Sequence, residues 1–326
     1  MCPLCQNIFP YIIKKGFFHR APSRRGGPGR RVQKYLCKTC MGHFSSQTDH
    51  STYRERKPHL NREIFRLLAS GLSQRHTARL VRVHQDTVAA KMERFGKLCS
   101  RTNLQDRMKR SPTFSSVVVF DEMETFEHSK LKPLSIAVAV DERTRYLFGA
   151  NVSQMPAKGL LRDRSIKKYG YRQDFRRPAL HQLLNTVAYA VPHLQLLKSD
   201  ECPRYPGPVR VLRRRMPDLG HERHKGRRGC VVGQGELKAG GFDPLFSLNH
   251  SCAMIRDYVK RLSRRTWCTT KVPEGLQMML NIYISVHNHR VLEQDAGVKD
   301  GWLLAPRPPQ EVRWRRRDHW WGPTKR

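Results

Sequence analysis

The sequence has no hydrophobic run long enough to span a membrane. No stretch approaches the roughly 18 uninterrupted apolar residues that a membrane helix needs, and no apolar signal core follows a basic N-terminus. We therefore expect a soluble, cytoplasmic chain without a membrane partner.

Acidic residues are also scarce. The 326 residues include 27 Asp and Glu against 62 Lys and Arg, which gives a formal net charge of +35. A compact chain with this excess repels itself unless it binds a polyanion, so we expect a nucleic acid partner. A basic ribosomal or membrane-surface protein is the alternative, but here the charge is spread over the chain and interrupted by apolar segments.

Residues 1–50 contain too few apolar side chains to form a core of their own. Two Cys-x-x-Cys pairs in this segment supply the four thiolates of a closed structural zinc site: Cys2, Cys5, Cys37 and Cys40. We predict a zinc ribbon over residues 1–50, with zinc supplying the folding free energy. Unrelated free or buried cysteines are the alternative, and a redox pair is disfavoured because neither motif opens a helix after a strand.

Residues 59–100 have the pattern of three short helices, which we interpret as a helix-turn-helix DNA-binding domain. The third helix would lie in the major groove with Gln85, Thr87 and Lys91 near base edges. An ordinary three-helix packing unit is the alternative. The polar residues 101–112 indicate a linker.

Strand patterns begin at Ser115. Three apolar runs separated by polar turns predict an antiparallel meander, and a helical pattern then leads into a fourth strand. The predicted elements are strands at Ser116–Phe120, Ser135–Val140 and Tyr146–Val152, a helix at Arg177–Val191 and a strand at Leu194–Lys198.

Residues 201–245 are rich in Gly, Pro and Arg, and we interpret them mainly as loop. The remaining predicted elements are short strands at Val209–Leu212 and Cys230–Val232, helices at Asn249–Arg264 and Gly275–His287, and a basic Pro/Arg/Trp-rich tail at residues 291–326.

Two aspartates directly follow apolar strand patterns. Asp121 follows Val117–Phe120, and Asp200 follows Leu196–Ser199. Carboxylates held by neighbouring strands can share one or two Mg²⁺ ions. Each aspartate alone fits an ordinary polar turn residue better, but their joint place in the strand order favours a metal site.

A basic helical pattern begins at Asn249. Arg256 follows Asn249 by seven residues and Lys260 follows Arg256 by four, so a helix with 3.6 residues per turn places all three on one face. A basic amphipathic surface helix is the alternative interpretation.

The segment Arg256-x-x-x-Lys260-Arg261-Leu262-x-Arg264-Arg265-Thr266 resembles the C-terminal signature of insertion-sequence transposases of the IS-one type and their zinc-ribbon relatives. The strand ends at Asp121 and Asp200 resemble the first and second catalytic aspartates of that family. Together with the ribbon and the helix-turn-helix pattern, the resemblance extends from Met1 to about Asn288.

The resemblance implies a multidomain α+β chain, in which a ribonuclease-H-like α/β catalytic domain at residues 113–290 follows the two N-terminal domains. Such enzymes bind the inverted repeats of their element on double-stranded DNA, as dimers or larger assemblies, in the nucleoid-associated cytoplasm of prokaryotes. They use Mg²⁺ or Mn²⁺ to cut DNA ends and join them to a target. Arg256 would hold a phosphate, and Lys260 and Arg264 would contact DNA.

The third catalytic position departs from the family pattern. The family has Glu at the start of the last helix, whereas this sequence places Asn249 there. An amide oxygen can ligate Mg²⁺ but brings no charge, so Glu236 is the second candidate and Asp243 the third. Three functions stay open: an active transposase, a derived DNA-binding protein without catalysis, and a zinc-ribbon transcription regulator.

Overall fold

The computed structural model describes residues 2–5, 11–20, 29–48, 55–225, 243–263 and 268–295. These residues separate into two units, one ending at Asn61 and one beginning at Arg62. No helix in the described ranges is long and apolar enough to cross a membrane. The predicted strand at Cys230–Val232 lies outside the described residues, as does the predicted tail from residue 296 onward.

The N-terminal unit contains a three-stranded antiparallel sheet in the order β1-β2-β3. Its strands are Ile12–Arg20, Arg30–Cys37 and His43–Ser45. The register between β1 and β2 shifts between Lys14 and Phe17, where Gly16 has a φ of 77°. This left-handed conformation favours glycine because glycine has no Cβ. Phe44 packs with two of the cysteines in a small core, which agrees with the shortage of apolar residues.

Three helices follow: α1 at Asn61–Ala69, α2 at Gln74–Leu80 and α3 at Gln85–Arg110. Ser73 caps α2 by accepting a hydrogen bond from the backbone N–H of His76 at 3.3 Å. Because α3 continues to its end at Arg110, the predicted linker at residues 101–112 was wrong. Its polar residues form the exposed side of a helix whose other side buries Cys99 and Asn103.

A mixed five-stranded sheet forms the centre of the second unit, in the spatial order β6-β5-β4-β7-β8. Its strands are β4 at Val117–Phe126, β5 at Pro133–Asp141, β6 at Leu147–Gln154, β7 at Leu196–Asp200 and β8 at Gly220–His224. The pairs β4–β5 and β5–β6 are antiparallel, whereas β4–β7 and β7–β8 are parallel. The predicted meander and the following strand are therefore confirmed, while β8 was missed.

Five further helices belong to this unit: α4 at Arg162–Tyr169, α5 at Arg176–Ala190, α6 at Pro206–Arg213, α7 at Phe246–Tyr258 and α8 at Pro273–Asp295. Val118 and Phe120 of β4 share a buried cluster with Leu183 and Leu184 of α5 and with α6. Because neighbouring strand residues point to opposite faces, Val119 lies on the face opposite Val118 and Phe120. Helix α7 also packs against β4 and β5. The sheet is covered by helices, and its carboxylates lie on the α7 side.

The edge of the sheet at β6 is covered by side-chain amides of α8. Gln277 Oε1 accepts a hydrogen bond from the N–H of Val152 at 2.9 Å, and Gln277 Nε2 donates to the carbonyl of Ala150 at 2.8 Å. Asn288 makes the same pair of bonds with Leu147, at 2.8 and 2.9 Å. These amides satisfy backbone groups that a sixth strand would otherwise pair.

Two predicted elements were wrong in type or extent. Val209–Leu212 belongs to helix α6 and not to a strand, because Val209 and Leu212 bury one helix side after the helix-starting Pro206. Helix α7 ends at Tyr258 and not at Arg264, because Val259 takes an extended conformation that buries its side chain.

Candidate functional site

Four thiols form a compact cluster in the N-terminal unit. The Sγ atoms of Cys2, Cys5, Cys37 and Cys40 all lie within 4.8 Å of one another, and those of Cys2 and Cys40 are 3.8 Å apart. Sulfurs bound at about 2.3 Å to a tetrahedral zinc ion are separated by about 3.8 Å. The cluster can therefore hold zinc. Within the described ranges it is the one group of three or more Cys, His, Asp or Glu side chains close enough to share a metal ion.

The protonation of these thiols is uneven. Burial raises the pKa of Cys37, but hydrogen bonds from the backbone N–H groups of Cys40 and Thr39 outweigh it and lower the pKa to about 6. A hydrogen bond from Gly42 lowers the pKa of Cys40, yet burial and the neighbouring thiols raise it to about 12. Four adjacent thiolates repel one another, so a divalent cation is needed for all of them to be charged together.

The second candidate site lies where β4 and β7 run side by side. Residues Val117–Val119 pair in parallel register with Leu196–Lys198, and two more residues along each strand align Asp121 with Asp200. Residues in this register point to the same face of the sheet. Asp200 ends its strand as expected, but Asp121 lies inside β4, which continues along β5 to Phe126. The expectation that Asp121 ends its strand was wrong, because the pairing continues where the apolar pattern stops.

Asp121 is held by two hydrogen bonds to Oδ1. Tyr205 Oη donates at 2.6 Å and the backbone N–H of Glu122 donates at 2.7 Å. Tyr205 is 1% exposed, and its ring centroid lies 5.1 Å from that of Phe120. Burial raises the pKa of Asp121 to about 6 despite the bond from Tyr205, and the charge of Asp200 contributes to the rise. This pair of carboxylates would be stabilised by a bound cation.

Asp200 is fixed by neighbouring backbone and side chains. Its Oδ1 accepts a hydrogen bond from the N–H of Cys202 at 3.0 Å. The preceding Ser199 Oγ lies 2.9 Å from Nε2 of His221, whose ring stacks on Phe120 at a centroid distance of 5.8 Å. Phe120 thus contacts both Tyr205, which bonds Asp121, and His221, which bonds the residue before Asp200.

Two ion pairs were missed by the sequence analysis, one of them at Glu122, the residue after Asp121. Glu122 forms an ion pair with Arg204, and its side chain is buried. Asp174 forms an ion pair with Arg176. Neither Arg204 nor the adjacent tyrosine had a recognisable signal, because both lie in the Gly/Pro/Arg-rich stretch that was interpreted as loop.

Helix α7, which carries Arg256, packs against β4 and β5. Burial raises the pKa of Cys252 to about 12, with a further increase from the charge of Asp121 and a decrease from Arg256. Asn249 precedes Cys252 by three residues and therefore lies on the same side of the helix. Asn249 is exposed, and its Nδ2 donates to Oδ2 of Asp243 at 2.9 Å. Two of the three candidates for the third position thus bind each other.

The remaining predicted residues are not all brought to this site. Among the described residues, no third carboxylate lies close enough to Asp121 and Asp200 to complete a three-ligand group. Glu236 and Arg264 lie outside the described residues. Lys260 is exposed in a 3₁₀ turn after α7, so the prediction that it shares a helical face with Arg256 was wrong.

The predicted base-contacting residues of α3 differ in exposure. Gln85 is exposed and accepts a hydrogen bond from Arg75 Nε at 3.3 Å, and Thr87 is half-buried. Lys91 is only 3% exposed, which contradicts the expected contact with DNA. It is buried because it follows Val88 by three residues and so lies on the packed side of the helix.

No protein-family model matches the sequence, and no curated protein matches it. Two solved structures have similar chains at 13% sequence identity. One is the Mos1 strand transfer complex, with a TM-score of 0.23, 72% of this chain covered and 77% of the other. The second is the catalytic domain of the Mos1 mariner transposase, with a TM-score of 0.24, 63% of this chain covered and 93% of the other. We draw no conclusion from similarities at this level.

Proposed function

We propose that this chain is a DNA transposase that binds the inverted repeats of an insertion sequence, cuts DNA and transfers the cut strand. The main support is the parallel pairing of β4 with β7. Its register, continued by two residues beyond Val119 and Lys198, aligns Asp121 with Asp200. The sheet order, three antiparallel strands followed by two parallel ones, fits a ribonuclease-H-like catalytic domain at residues 113–290. The net charge of +35 fits a polyanionic substrate.

Asp121 and Asp200 would hold Mg²⁺ or Mn²⁺, since paired carboxylates supply the oxygen ligands that these ions prefer. Asn249 is the proposed third ligand, with Glu236 and Asp243 as alternatives. When bound, the metal supplies activation of the attacking oxygen and stabilisation of charge on the phosphate. The chain itself orients Asp121 through Tyr205 and offers the Arg256 guanidinium to a DNA phosphate.

The N-terminal segments would bind DNA. The four-cysteine cluster supports a zinc ribbon at residues 1–50, and helices α1 to α3 support a helix-turn-helix domain at residues 59–100. Gln85 and Thr87 remain the proposed base-contacting residues because neither is buried. We further propose that the chain acts as a dimer or larger assembly on DNA, in the cytoplasm of a prokaryote.

A second function is a transposase-derived DNA-binding protein without catalysis. It is favoured by one observation: among the described residues no third carboxylate joins Asp121 and Asp200, and Asn249 is hydrogen-bonded to Asp243. A neutral third ligand leaves the metal ions less strongly bound.

Strand cleavage by the full chain distinguishes these two functions. A labelled duplex carrying the inverted repeats that border the reading frame is incubated with Mg²⁺ and either wild type, Asp121→Asn or Asn249→Ala. We expect cleavage by wild type, none by Asp121→Asn, and reduced cleavage by Asn249→Ala, which lacks the proposed third ligand. The matched control Asp218→Asn, whose carboxyl is exposed, is incubated in the same way and should cleave normally. Equal cleavage by wild type and Asp121→Asn would refute the site, and binding without cleavage would identify the second function.

A further inference from the structure

The segment between β6 and α5 forms a basic surface to which the proposed catalytic mechanism assigns no role. We call residues 158–175 the basic arm. It contains six cationic residues, Lys158, Arg162, Arg164, Lys167, Lys168 and Arg172, against two acidic ones, Asp163 and Asp174. This net charge is about twice as dense as that of the whole chain.

The basic arm is fixed to the sheet at several points. Ser165 Oγ donates to the carbonyl of Leu131 at 2.6 Å, and the N–H of Phe175 donates to the carbonyl of Gln154 at 3.0 Å. Arg172 is buried and lies 3.8 Å from Glu127. Because the backbone of the arm is held before any ligand binds, little ordering entropy is lost on binding.

The outer side of the arm presents cations and apolar groups to solvent. Arg164, Lys167 and Lys168 of α4 are exposed, and none of them forms an ion pair with a described residue. Leu160 is 97% exposed and Tyr171 is 77% exposed. Lys168 Nζ lies 5.4 Å from the ring centroid of Tyr169. Surfaces that combine cations with aromatic rings are typical of those that bind phosphates and stack on sugars or bases.

The arm adjoins the strand that bears Asp121. Its first residue, Lys158, forms an ion pair with Glu124 of β4, which follows Asp121 by three residues and points to the opposite face of the sheet. At its other end, Asp174 forms an ion pair with Arg176, the first residue of α5. The bond to Asp174 raises the pKa of Arg176, and the charges of Glu122 and Glu124 add to the rise. We propose that the basic arm binds the phosphate backbone of DNA beside the part of β4 that follows Asp121. This inference rests on the proposed function, and it assigns the DNA a path along α4.

The test compares two charge-matched triple variants of the full chain. One is Arg164→Gln/Lys167→Gln/Lys168→Gln in the arm, and the control is Arg210→Gln/Arg214→Gln/Arg215→Gln at the end of α6, where all three residues are also exposed. Far-UV circular dichroism verifies that both remain folded. Affinity for duplex DNA is measured over a range of salt concentrations without divalent metal.

We expect the arm variant to reduce the slope of log affinity against log salt by about 3, because each lost phosphate contact removes about one unit of slope. The loss should be the same for specific and unrelated sequences, since phosphates carry no base information. The control variant should keep the wild-type slope. An unchanged slope in the arm variant, or an equal loss in the control, would overturn the inference. The proposed function is judged separately, by metal-dependent cleavage.

Discussion

Replacing Asp121 with Asn is expected to stabilise the metal-free chain. The amide keeps an oxygen that can accept the bonds from Tyr205 and from the N–H of Glu122, but it cannot ionise. In the wild type, burial raises the pKa of Asp121 from 3.8 to about 6. Between these values the folded chain binds more protons here than the unfolded chain, so wild-type stability falls as the pH rises.

The size of the effect follows from this difference in pKa. A change from 3.8 to about 6 corresponds to roughly 3 kcal/mol once Asp121 is ionised in both states. Asp121→Asn should therefore raise the free energy of unfolding by up to about 3 kcal/mol above about pH 7, and should have little effect near pH 4. Urea unfolding, followed by circular dichroism in magnesium-free buffer, measures this difference across the pH range.

The exposed carboxyl of Asp218 provides the control. At every pH, the free energy of unfolding of Asp218→Asn should nearly equal that of wild type. Added Mg²⁺ should stabilise wild type and not Asp121→Asn, because the ion binds the charged carboxylate. A gain from Asp121→Asn that is the same at low and neutral pH, or absent at both, would show that Asp121 is not a buried carboxyl of raised pKa.

Three further predictions concern the two candidate sites and the β6 edge of the sheet. Tyr205→Phe removes the 2.6 Å bond to Asp121 and should weaken Mg²⁺ binding by about 10- to 100-fold in a metal titration. Tyr189→Phe, at an exposed tyrosine, should leave the affinity unchanged, and equal affinities of the two variants would refute a positioning role for Tyr205. Cys37→Ser should lose its bound zinc, as measured by metal analysis of the purified chain, while Cys268→Ser, outside the cluster, should retain it. Zinc retained by both variants would contradict the proposed zinc site. Asn288→Leu leaves the N–H and carbonyl of Leu147 unpaired and should lower the free energy of unfolding by about 2 to 4 kcal/mol. The control Glu274→Gln, at an exposed residue, should change it little, and a loss below about 1 kcal/mol in Asn288→Leu would mean that water replaces the amide.

Much of the sheet could be predicted because its central strands are buried on both faces and therefore appear as continuous apolar runs. Val118 and Val119 are both fully buried, although they point to opposite faces. Strand β8, Gly220–His224, has no such run, because it lies at the edge of the sheet and pairs only with β7. Helix α6 was mistaken for a strand because β-branched residues favour strands, and its two early prolines were not recognised as a helix start.

The two aspartates could be predicted for a related reason. Each follows a buried apolar run, and the parallel pairing between β4 and β7 brings the ends of these two runs close together. The bond from Tyr205 to Asp121 spans 84 residues and depends on how α6 returns to the sheet, which no local pattern records. The strand pattern therefore predicts the position of Asp121, whereas tertiary packing sets its orientation and raises its pKa. Substitutions at Tyr205 and Arg204 consequently test the site more sharply than substitutions within the motif, because they alter the setting of the carboxylates without removing one.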